Sequence, residues 1–383
     1  MNFAPLSVEQ SAWLAQAFEA APVTDIPSLL AGFDAELPLD RARTVPAAWY
    51  REPALAELEA RAVFASTWQP LGRRELVPHR GDFLTADVAG EPLLAVRGDD
   101  GIVRAFHNVC RHRAAPLLRD ESGCVGKLRC RYHGWTYDLA GNLRGTPEFD
   151  GVCDFRKEEN GLVPVSLAAW GPYLWVNLGG PREPAASQFA PLAESAFAGL
   201  TWHARTSYDV ACNWKVYVDN YLDGGYHVNT VHPALAGVLD YAGYTTTTYA
   251  NTALQRSPLK PSDGPAGGTR TGDAAEYWWA FPNVMFNLYA GVMDANVVVP
   301  AGPERCRVIF DFYFADGTED AFKAESLRVA DAVQLEDVGI CEEVQRGLRG
   351  RAWAHGRYSV KRENAEYAFH QTLARRLRAG STR

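Results

Sequence analysis

Two short segments between residues 110 and 133 each carry one cysteine and one histidine. Cys110 and His112 form a C-x-H pair, Cys130 and His133 form a C-x-x-H pair, and residues 113–129 separate the two. Thiolates and imidazoles at such spacing bind zinc or iron–sulfur clusters. A [2Fe–2S] cluster with two cysteines on one iron and two histidines on the other requires this ligand set. Zinc is the alternative, although zinc fingers place both cysteines in one pair and both histidines in the other.

A second group of candidate ligands lies in NWKVYVDNYLDGGYHVNTVHP, residues 213–233. His227 and His232 follow Asp219 and Asp223 in this segment. Two histidines and a distant carboxylate form the facial triad of non-haem Fe(II) oxygenases, which leaves coordination positions open for O2. On a helix, Asp219, Asp223 and His227 would share one face, because they follow one another at intervals of four residues. An H-x4-H pair alone is also typical of histidines that only make hydrogen bonds.

The composition is that of an ordinary soluble globular protein. The chain has 383 residues, 47% of them hydrophobic and 22% charged, which is enough for a large core and two or more domains. A net charge of -8 does not indicate a nucleic-acid-binding protein, and no apolar run reaches the length of a membrane span. Seven scattered cysteines argue against a disulfide framework. Since the N-terminus lacks a secretory or transit-peptide pattern, we expect a cytoplasmic protein without a membrane partner.

The pattern along the chain predicts three segments. Residues 1–62 are expected to be helical and to pack with the C-terminal part. Residues 63–182 contain short β-like runs joined by turns rich in Gly, Asp and Asn, which predict an all-β domain. Residues 183–383 mix helical and strand patterns and predict an α+β domain. Within this part, residues 257–273 are rich in Pro, Gly and Ser and are expected to form a surface loop.

Both groups of candidate ligands resemble one enzyme family. HNVCRHR (107–113) and CRYHGWTYDLAGNL (130–143) resemble the Rieske domain of ring-hydroxylating and related oxygenases, and NWK followed by Asp219-Asn220 and H-x4-H resembles the iron-binding helix of their catalytic domains. The resemblance implies an α+β protein, with an all-β Rieske domain and a helix-grip catalytic domain that has an antiparallel sheet. It implies a [2Fe–2S] cluster on Cys110, His112, Cys130 and His133, and a mononuclear Fe(II) on His227, His232 and Asp337.

The third iron ligand is chosen from an acidic helical segment, QLEDVGICEEVQRG. In the family this helix supplies an aspartate five residues before a glutamate, and Asp337 and Glu342 fit that spacing. The alternative for acids of this segment is a solvated helix face, which fits Glu336 and Glu343 better than it fits Asp337. The resemblance therefore selects Asp337 as the ligand.

The sequence departs from the family at the acid that links the two metal sites. Many members have this acid three residues before the first histidine ligand, where this chain has Gly224. Asp223 stands one residue earlier, and a local π-bulge at Gly224-Gly225 would bring it into place. Asp219 is the second candidate for the link. Asn220 matches a family asparagine beside the iron, with helix packing as its alternative role.

Four segments resemble the choline monooxygenase branch of the family: DNYLDGGYHV, LDYAGYTTT, MDANVVVPAGPERCRVIFDF and LEDVGICEEVQRGL. This resemblance implies hydroxylation of choline by O2 to betaine aldehyde hydrate, in a homotrimer where one subunit's cluster reduces the iron of its neighbour. An external ferredoxin or flavin reductase would supply electrons, since the chain has no dinucleotide fingerprint. The alternatives are N-demethylation of a betaine-type compound and hydroxylation of an aromatic ring. A pure electron carrier would have no use for the second group of ligands.

A quaternary ammonium substrate calls for aromatic walls, because cation–π contacts hold such groups. An aromatic substrate would be satisfied by the same walls, and each aromatic side chain alone is more often part of a core. The candidates for lining a pocket are Tyr226, Tyr241, Trp278, Trp279, Phe281, Phe286 and Tyr289.

Overall fold

The computed structural model describes residues 25–181, 183–260 and 268–382. These residues form two compact units. One contains residues 63–187, and the other joins the described residues before 63 to the chain from 188 onward. The first 24 residues of the predicted N-terminal segment lie outside the described part of the chain. No helix within the described ranges is long and apolar enough to cross a membrane.

The first unit is built from antiparallel strands, as the turn-rich pattern of residues 63–182 predicts. Over the described residues, a seven-stranded sheet has the order β1-β10-β9-β4-β3-β2-β5, and a three-stranded sheet has the order β6-β7-β8. The strands are β1 (Gln69–Arg73), β2 (Asp82–Val88), β3 (Glu91–Arg97), β4 (Val103–His107), β5 (Ser122–Cys124), β6 (Leu128–Arg129), β7 (Thr136–Tyr137), β8 (Leu143–Gly145), β9 (Pro164–Trp170) and β10 (Tyr173–Asn177).

Strand β3 is buried on both faces and separates two apolar clusters. Leu94 and Val96 belong to the cluster that also holds Cys110 and Cys130, whereas Leu93 and Ala95 belong to the other cluster. Adjacent residues of a strand point to opposite faces, so one strand closes both cores. The candidate cluster ligands therefore lie on one defined side of the larger sheet.

The second unit has one antiparallel sheet, with the order β11-β17-β16-β15-β14-β13-β12 over the described residues. Its strands are β11 (Leu200–Val210), β12 (Thr245–Thr248), β13 (Thr252–Pro258), β14 (Ala274–Ala280), β15 (Val284–Tyr289), β16 (Val292–Pro300) and β17 (Cys306–Ala315). The helices along the chain are α1 (Ile26–Ala31), α2 (Pro53–Glu59), α3 (Ala185–Phe189), α4 (Trp214–Leu222), α5 (Val228–Val231), α6 (Pro233–Ala236), α7 (Asp320–Leu348) and α8 (Asn364–Ser381). The architecture is α+β with antiparallel sheets, which confirms the predicted fold class.

Helix α4 is fixed at its N-terminus by the residues of the NWK motif. The side chain of Asn213 caps the helix by accepting a hydrogen bond from the backbone N–H of Lys215. Lys215 donates to Glu59 Oε1 at 2.6 Å, and Trp214 Nε1 donates to Glu59 Oε2 at 2.8 Å. Burial lowers the pKa of Lys215, and the pair with Glu59 opposes that shift. The buried pair ties α4 to α2 before the helix reaches the candidate ligands.

The predicted π-bulge at Gly224-Gly225 is wrong, because α4 ends at Leu222 with Asp223 as its C-cap. Both glycines have φ +70°, a left-handed conformation that stops the helix after Asp223. A Cβ on Gly224 would lie 2.2 Å from the carbonyl oxygen of Arg362, and one on Gly225 would lie 2.8 Å from the ring of Tyr244. The two glycines therefore form a close-packed turn between α4 and the histidines.

Candidate metal centres and substrate cavity

The two Cys/His segments of the first unit form loops with the same backbone hydrogen bonds. Cys110 N donates to Ala115 O at 2.9 Å, and Cys130 N donates to Trp135 O at 2.8 Å. In each loop the residue four positions after the cysteine donates back to the cysteine carbonyl oxygen. That residue has a left-handed φ in both loops, +59° at Ala114 and +73° at Gly134. The sequence positions of the histidines differ by one, but both loops present a cysteine and a histidine on the same scaffold.

The cysteines lie inside this unit, and the histidines lie toward its surface. Cys110 and Cys130 are 1% and 2% exposed, His112 is half-buried and His133 is exposed. The rings of the two histidines are 4.6 Å apart, and Trp135 stacks on His112 at 4.8 Å with nearly parallel planes. A group bound by these four residues would have its thiolate side in the core and its imidazole side close to solvent.

The chemistry of the four side chains fits an iron–sulfur cluster. The Nδ1 atom of His112 is buried, and no hydrogen-bond partner for it is present among the described residues. Burial raises the pKa of the Cys110 thiol, which also lies beside Cys130, while the Tyr137 hydroxyl 3.5 Å away opposes the shift. Two adjacent buried thiolates are stable only with a cation between them. An unpartnered imidazole nitrogen and paired thiols are what a cluster would satisfy.

In the second unit, His227, His232 and Asp337 come together from the two ends of α5, where the histidines flank the helix, and from α7. His227 Nε2 lies 3.1 Å from His232 Nε2, and Asp337 Oδ1 lies 3.0 Å from His232 Nε2 and 3.7 Å from His227 Nε2. Ligands about 2.1 Å from one ion and at right angles to one another are about 3.0 Å apart. The spacing and the donor set therefore fit a single metal ion bound on one face.

A carboxylate orients each of the two histidines. Asp223 Oδ2 lies 2.6 Å from His227 Nδ1 and also accepts a hydrogen bond from the His227 backbone N–H. Glu336 Oε2 lies 2.7 Å from His232 Nδ1. Burial alone would lower the pKa of His232, but hydrogen bonds to Asp337 and Glu336 raise it above its usual value. Because the Nδ1 atom of each histidine contacts one of these carboxylates, the Nε2 atoms of the two rings face each other and Asp337.

Glu336 does lie on an exposed part of α7, as expected, with 39% of its side chain exposed, but it also has a specific partner. Glu336 is adjacent to Asp337 on α7 but contacts His232 rather than only water. Glu343, also expected on a solvated face, lies on an exposed face of α7, and its Oε1 atom is 3.8 Å from Arg346 Nη2. Nothing in the spacing distinguishes the two glutamates, because the decisive contact comes from a histidine 104 residues away.

Asn220 and Asp219 point to different places from α4. Asn220 Nδ2 donates to Asp337 Oδ1 at 2.7 Å, which holds the carboxylate beside the histidines. Asp219 instead accepts a hydrogen bond from Tyr50 at 2.7 Å and lies 3.1 Å from His370 Nε2. Of the two aspartates considered for the link to a second metal site, Asp223 is the one that contacts a triad histidine.

The triad borders a cavity with aromatic walls that lies beneath the large sheet. The sheet contributes a cross-strand row of polar side chains, in which Gln255 faces Tyr277, Tyr277 faces Asn287 and Asn287 faces Asp294. The aromatic residues that line the cavity are Tyr217, Tyr221, Tyr244, Tyr277, Tyr289 and Phe310. Hydroxyls of these tyrosines bond to neighbours, as in the 2.6 Å bond from Tyr217 to Gln334 and the 3.0 Å bond from Tyr289 to Tyr277.

Of the seven aromatic residues predicted to line the pocket, only Tyr289 does so. Trp278 and Phe286 face each other on the opposite side of the sheet, since each lies one residue away from the row that faces the cavity. Trp279 and Phe281 pack against Phe369 of α8. Tyr226 is 55% exposed, and the ring of Tyr241 lies 3.9 Å from the Arg362 guanidinium. Strand parity, which an alternating pattern of polar residues could have indicated, excludes Trp278 and Phe286 from the cavity wall, whereas the other four residues are excluded by their position along the chain.

Comparisons with known proteins agree with this geometry. Residues 67–156 match the Rieske [2Fe-2S] domain, and residues 197–379 match the catalytic domain of the ring hydroxylating alpha subunit. A choline monooxygenase from Arabidopsis thaliana is 36% identical over 373 residues, which cover 93% of this chain and 88% of the relative. The chain belongs to the Rieske non-haem iron oxygenases. It therefore carries a Rieske [2Fe–2S] cluster and a mononuclear iron, as the sequence predicts.

Two further relatives of this Rieske oxygenase have known substrates of one kind. The carnitine monooxygenase oxygenase subunit of Escherichia coli (strain K12) is 30% identical over 320 residues, covering 81% of this chain and 85% of the relative. A solved quaternary ammonium Rieske monooxygenase, described for carnitine oxidation and inter-subunit electron transfer, superposes with a TM-score of 0.79. It is 26% identical and covers 90% of this chain and 99% of its own.

Proposed function

We propose that this Rieske oxygenase uses O2 and externally supplied electrons to hydroxylate a small quaternary ammonium compound. One observation carries the proposal: the candidate iron triad of His227, His232 and Asp337 borders a cavity walled by tyrosine rings. Burial raises the pKa of four of these tyrosines well above the usual value, so the rings stay neutral phenols. Neutral aromatic faces hold quaternary ammonium groups through cation–π contacts.

The geometry supports an assignment of residues to the two metal groups. Cys110, His112, Cys130 and His133 would hold the [2Fe–2S] cluster, and His227, His232 and Asp337 would hold the iron. When bound, the cluster supplies single electrons and the iron supplies a site with open positions for O2. Asp223 and Glu336 fix the histidine orientation, and Asn220 holds the Asp337 carboxylate. The tyrosine walls would keep bulk water from the reacting carbon.

Two substrates are the main candidates within this class. Choline, hydroxylated at its alcohol carbon to betaine aldehyde hydrate, follows from the sequence resemblance and from the plant relative named choline monooxygenase. A betaine-type compound, which also carries a carboxylate, is favoured by a single arginine in the cavity, Arg270. Oxygenation of such a compound at an N-methyl group would release formaldehyde.

The proposal includes partners that this chain needs for turnover. A ferredoxin or flavin reductase supplies electrons, and a homotrimer brings the cluster of one subunit to the iron of its neighbour. Asp223 is the proposed link, because it contacts His227 and is only 13% exposed. The relative described for inter-subunit electron transfer supports this arrangement. We also propose a cytoplasmic location, where free thiols such as Cys124 persist.

A single-turnover experiment tests the proposed function. The protein is reduced chemically without air, mixed with choline, glycine betaine or an aromatic carboxylate, and then exposed to O2. Mass spectrometry should find an oxygenated quaternary ammonium product in near-stoichiometric amount per iron, with none from His232→Ala. A ring-hydroxylated product from the aromatic carboxylate alone would contradict the proposal.

A further inference from the structure

Arg270 is the cationic side chain in the lining of the catalytic cavity over the described residues. Its guanidinium carbon lies 4.8 Å from the centre of the Tyr289 ring, which lines the same cavity. Its Nε atom is buried and has no hydrogen-bond partner within the described ranges. A guanidinium carries five N–H donors, and leaving such a group unpaired away from water is costly.

The nearest acid of the cavity does not pair with Arg270. Asp294 accepts a hydrogen bond from Asn287 Nδ2 at 2.7 Å, and the Asn296 amide, oriented to satisfy its own partners, donates to Asp294 Oδ2 at 3.1 Å. Among the described residues, no carboxylate oxygen lies within ion-pairing distance of Arg270. Asp294 is thus hydrogen-bonded by two amides and attracts the Arg270 guanidinium only through its charge, while the guanidinium packs over the face of Tyr289.

The backbone around Arg270 holds the side chain in place. Thr271 Oγ1 donates to Ala290 O at 2.5 Å, and Ala290 N donates to Thr271 O at 3.0 Å, so this segment is tied to the turn between β15 and β16. Gly272 follows with φ +96°, and a Cβ there would lie 2.9 Å from the Ala290 Cβ. The expectation that residues 257–273 form only a surface loop is wrong at this point. A pre-positioned guanidinium loses little conformational freedom when it binds an anion.

We infer that Arg270 binds a carboxylate of the substrate, so that the natural substrate is a zwitterion with a quaternary ammonium group at one end and a carboxylate at the other. This inference rests on the proposed function, because the tyrosine rings and the iron triad define the rest of the same cavity. Arg–carboxylate pairs are frequently bidentate, which uses the planar guanidinium and fixes the substrate's orientation. Choline has no group for Arg270, and it leaves the half-buried guanidinium without a hydrogen-bonding anion when it fills the cavity.

The test compares substrates and variants of the full, cluster-loaded enzyme with a reductase. Steady-state KM and kcat are measured for choline, glycine betaine, carnitine and an aromatic carboxylate, with wild-type protein, Arg270→Gln and Arg270→Lys. Arg256→Gln is the matched control, since Arg256 lies on β13 with an exposed side chain that pairs with Glu276 at 3.6 Å. The cluster absorbance and the iron content of each variant establish that it is folded and loaded.

The wild-type enzyme should have its highest kcat/KM on a carboxylate-bearing quaternary amine. Loss of a charge-assisted bidentate pair predicts that Arg270→Gln raises KM for that substrate by about 10- to 100-fold. Its kcat at saturation should change by less than about threefold, its KM for choline should not rise because choline has no group that pairs with the guanidinium, and Arg270→Lys should recover part of the loss. Arg256→Gln should match the wild type.

Two results would overturn the inference while leaving the proposed function intact. One is a higher kcat/KM for choline than for every carboxylate-bearing amine. The other is an Arg270→Gln variant that loses the same factor with all substrates, which would assign Arg270 a structural role. Turnover of the aromatic carboxylate alone would instead overturn the proposed function, because no quaternary amine would then be oxygenated.

Discussion

The two candidate metal centres of this protein are built on opposite principles. The cluster ligands lie within 24 consecutive residues, on two loops with the same hydrogen bonds. The candidate iron ligands come from separate elements, with His232 and Asp337 105 residues apart, and each histidine is oriented by a different carboxylate. In a short motif, the spacing of the residues is enough to fix the relative positions of the ligands. When the ligands come from separate elements, their relative positions depend on how those elements pack, and residues other than the ligands determine that packing.

The largest expected effect comes from removing one ligand at each centre. Cys130→Ser should abolish the Rieske absorbance and all oxygenation, because the cluster loses a buried thiolate. His232→Ala should abolish oxygenation but leave the cluster spectrum and its chemical reduction intact, since the two sites lie in separate compact units. Metal analysis and visible spectra of both proteins measure this. A His232→Ala protein without a cluster would show that the centres fold as one unit.

Replacing the two outer carboxylates would distinguish their roles at the dispersed centre. Glu336→Gln should weaken iron affinity by about 10- to 100-fold, because loss of an outer partner of a ligating histidine has effects of this size. Asp223→Asn should cause a similar loss and, in addition, slow oxidation of the reduced cluster by O2 when iron is replete. Stopped-flow absorbance of iron-saturated variants separates the two effects. Equal cluster oxidation rates in both variants would rule out Asp223 as the link.

The same glycine substitution in the two units should differ in its effect on stability. Gly224→Ala has both a left-handed φ and a Cβ 2.2 Å from the Arg362 carbonyl oxygen, and we expect about 2–4 kcal/mol of destabilisation. Gly90→Ala in the hairpin between β2 and β3 has φ +84° and open space, so about 1 kcal/mol is expected there. Urea midpoints of both variants compare them. Equal losses of stability in the two variants would mean that the Arg362 carbonyl can move away from the added methyl group at no energetic cost.

The smallest effect concerns pH and the catalytic unit. Burial, with nearby Asp219, raises the pKa of Glu366 on α8 well above its ordinary value of 4.5. Because the folded pKa lies above the unfolded one, stability from the neutral carboxyl is complete below pH 4.5 and decreases as pH rises through the folded pKa. Glu366→Gln stays neutral and should be more stable than the wild type at pH 8.

Denaturant unfolding at pH 4.5 and pH 8 measures that difference, which should vanish at the lower pH. Glu57→Gln, on the exposed side of α2, should change stability by less than about 0.5 kcal/mol at either pH. A constant gap between wild type and Glu366→Gln at both pH values would show that the amide merely packs differently.

The sequence predicts the parts of the molecule that depend on local spacing. The family, the fold class and the two cofactors follow from the Cys/His pairs and the H-x4-H segment, and all are confirmed. The errors lie where tertiary contacts decide. The π-bulge fails because Arg362 and Tyr244 pack against Gly224 and Gly225. Glu336 is indistinguishable from Glu343 until His232 is placed beside it.

The residues that line the cavity also depend on tertiary structure. Trp278 and Phe286 are aromatic but point to the face of the sheet away from the cavity, and the adjacent residues Tyr277 and Asn287 point toward it. Arg270 follows a Gly- and Pro-rich stretch that is typical of a surface loop, so the sequence pattern does not indicate that it lines the cavity. The hydrogen bonds between the next residue, Thr271, and Ala290 hold this part of the chain beside the cavity.

The paired glycines between α4 and the histidines have a consequence for transferring this site to another protein. The DGGYH segment cannot be moved as a peptide alone, because its backbone fits only against the Arg362 carbonyl and the Tyr244 ring. Those partners come from a loop before α8 and from the residue before β12. A graft of the iron site must therefore carry these three separated stretches of chain in addition to α7 with Asp337, and a homologue that changes one of them should change the others.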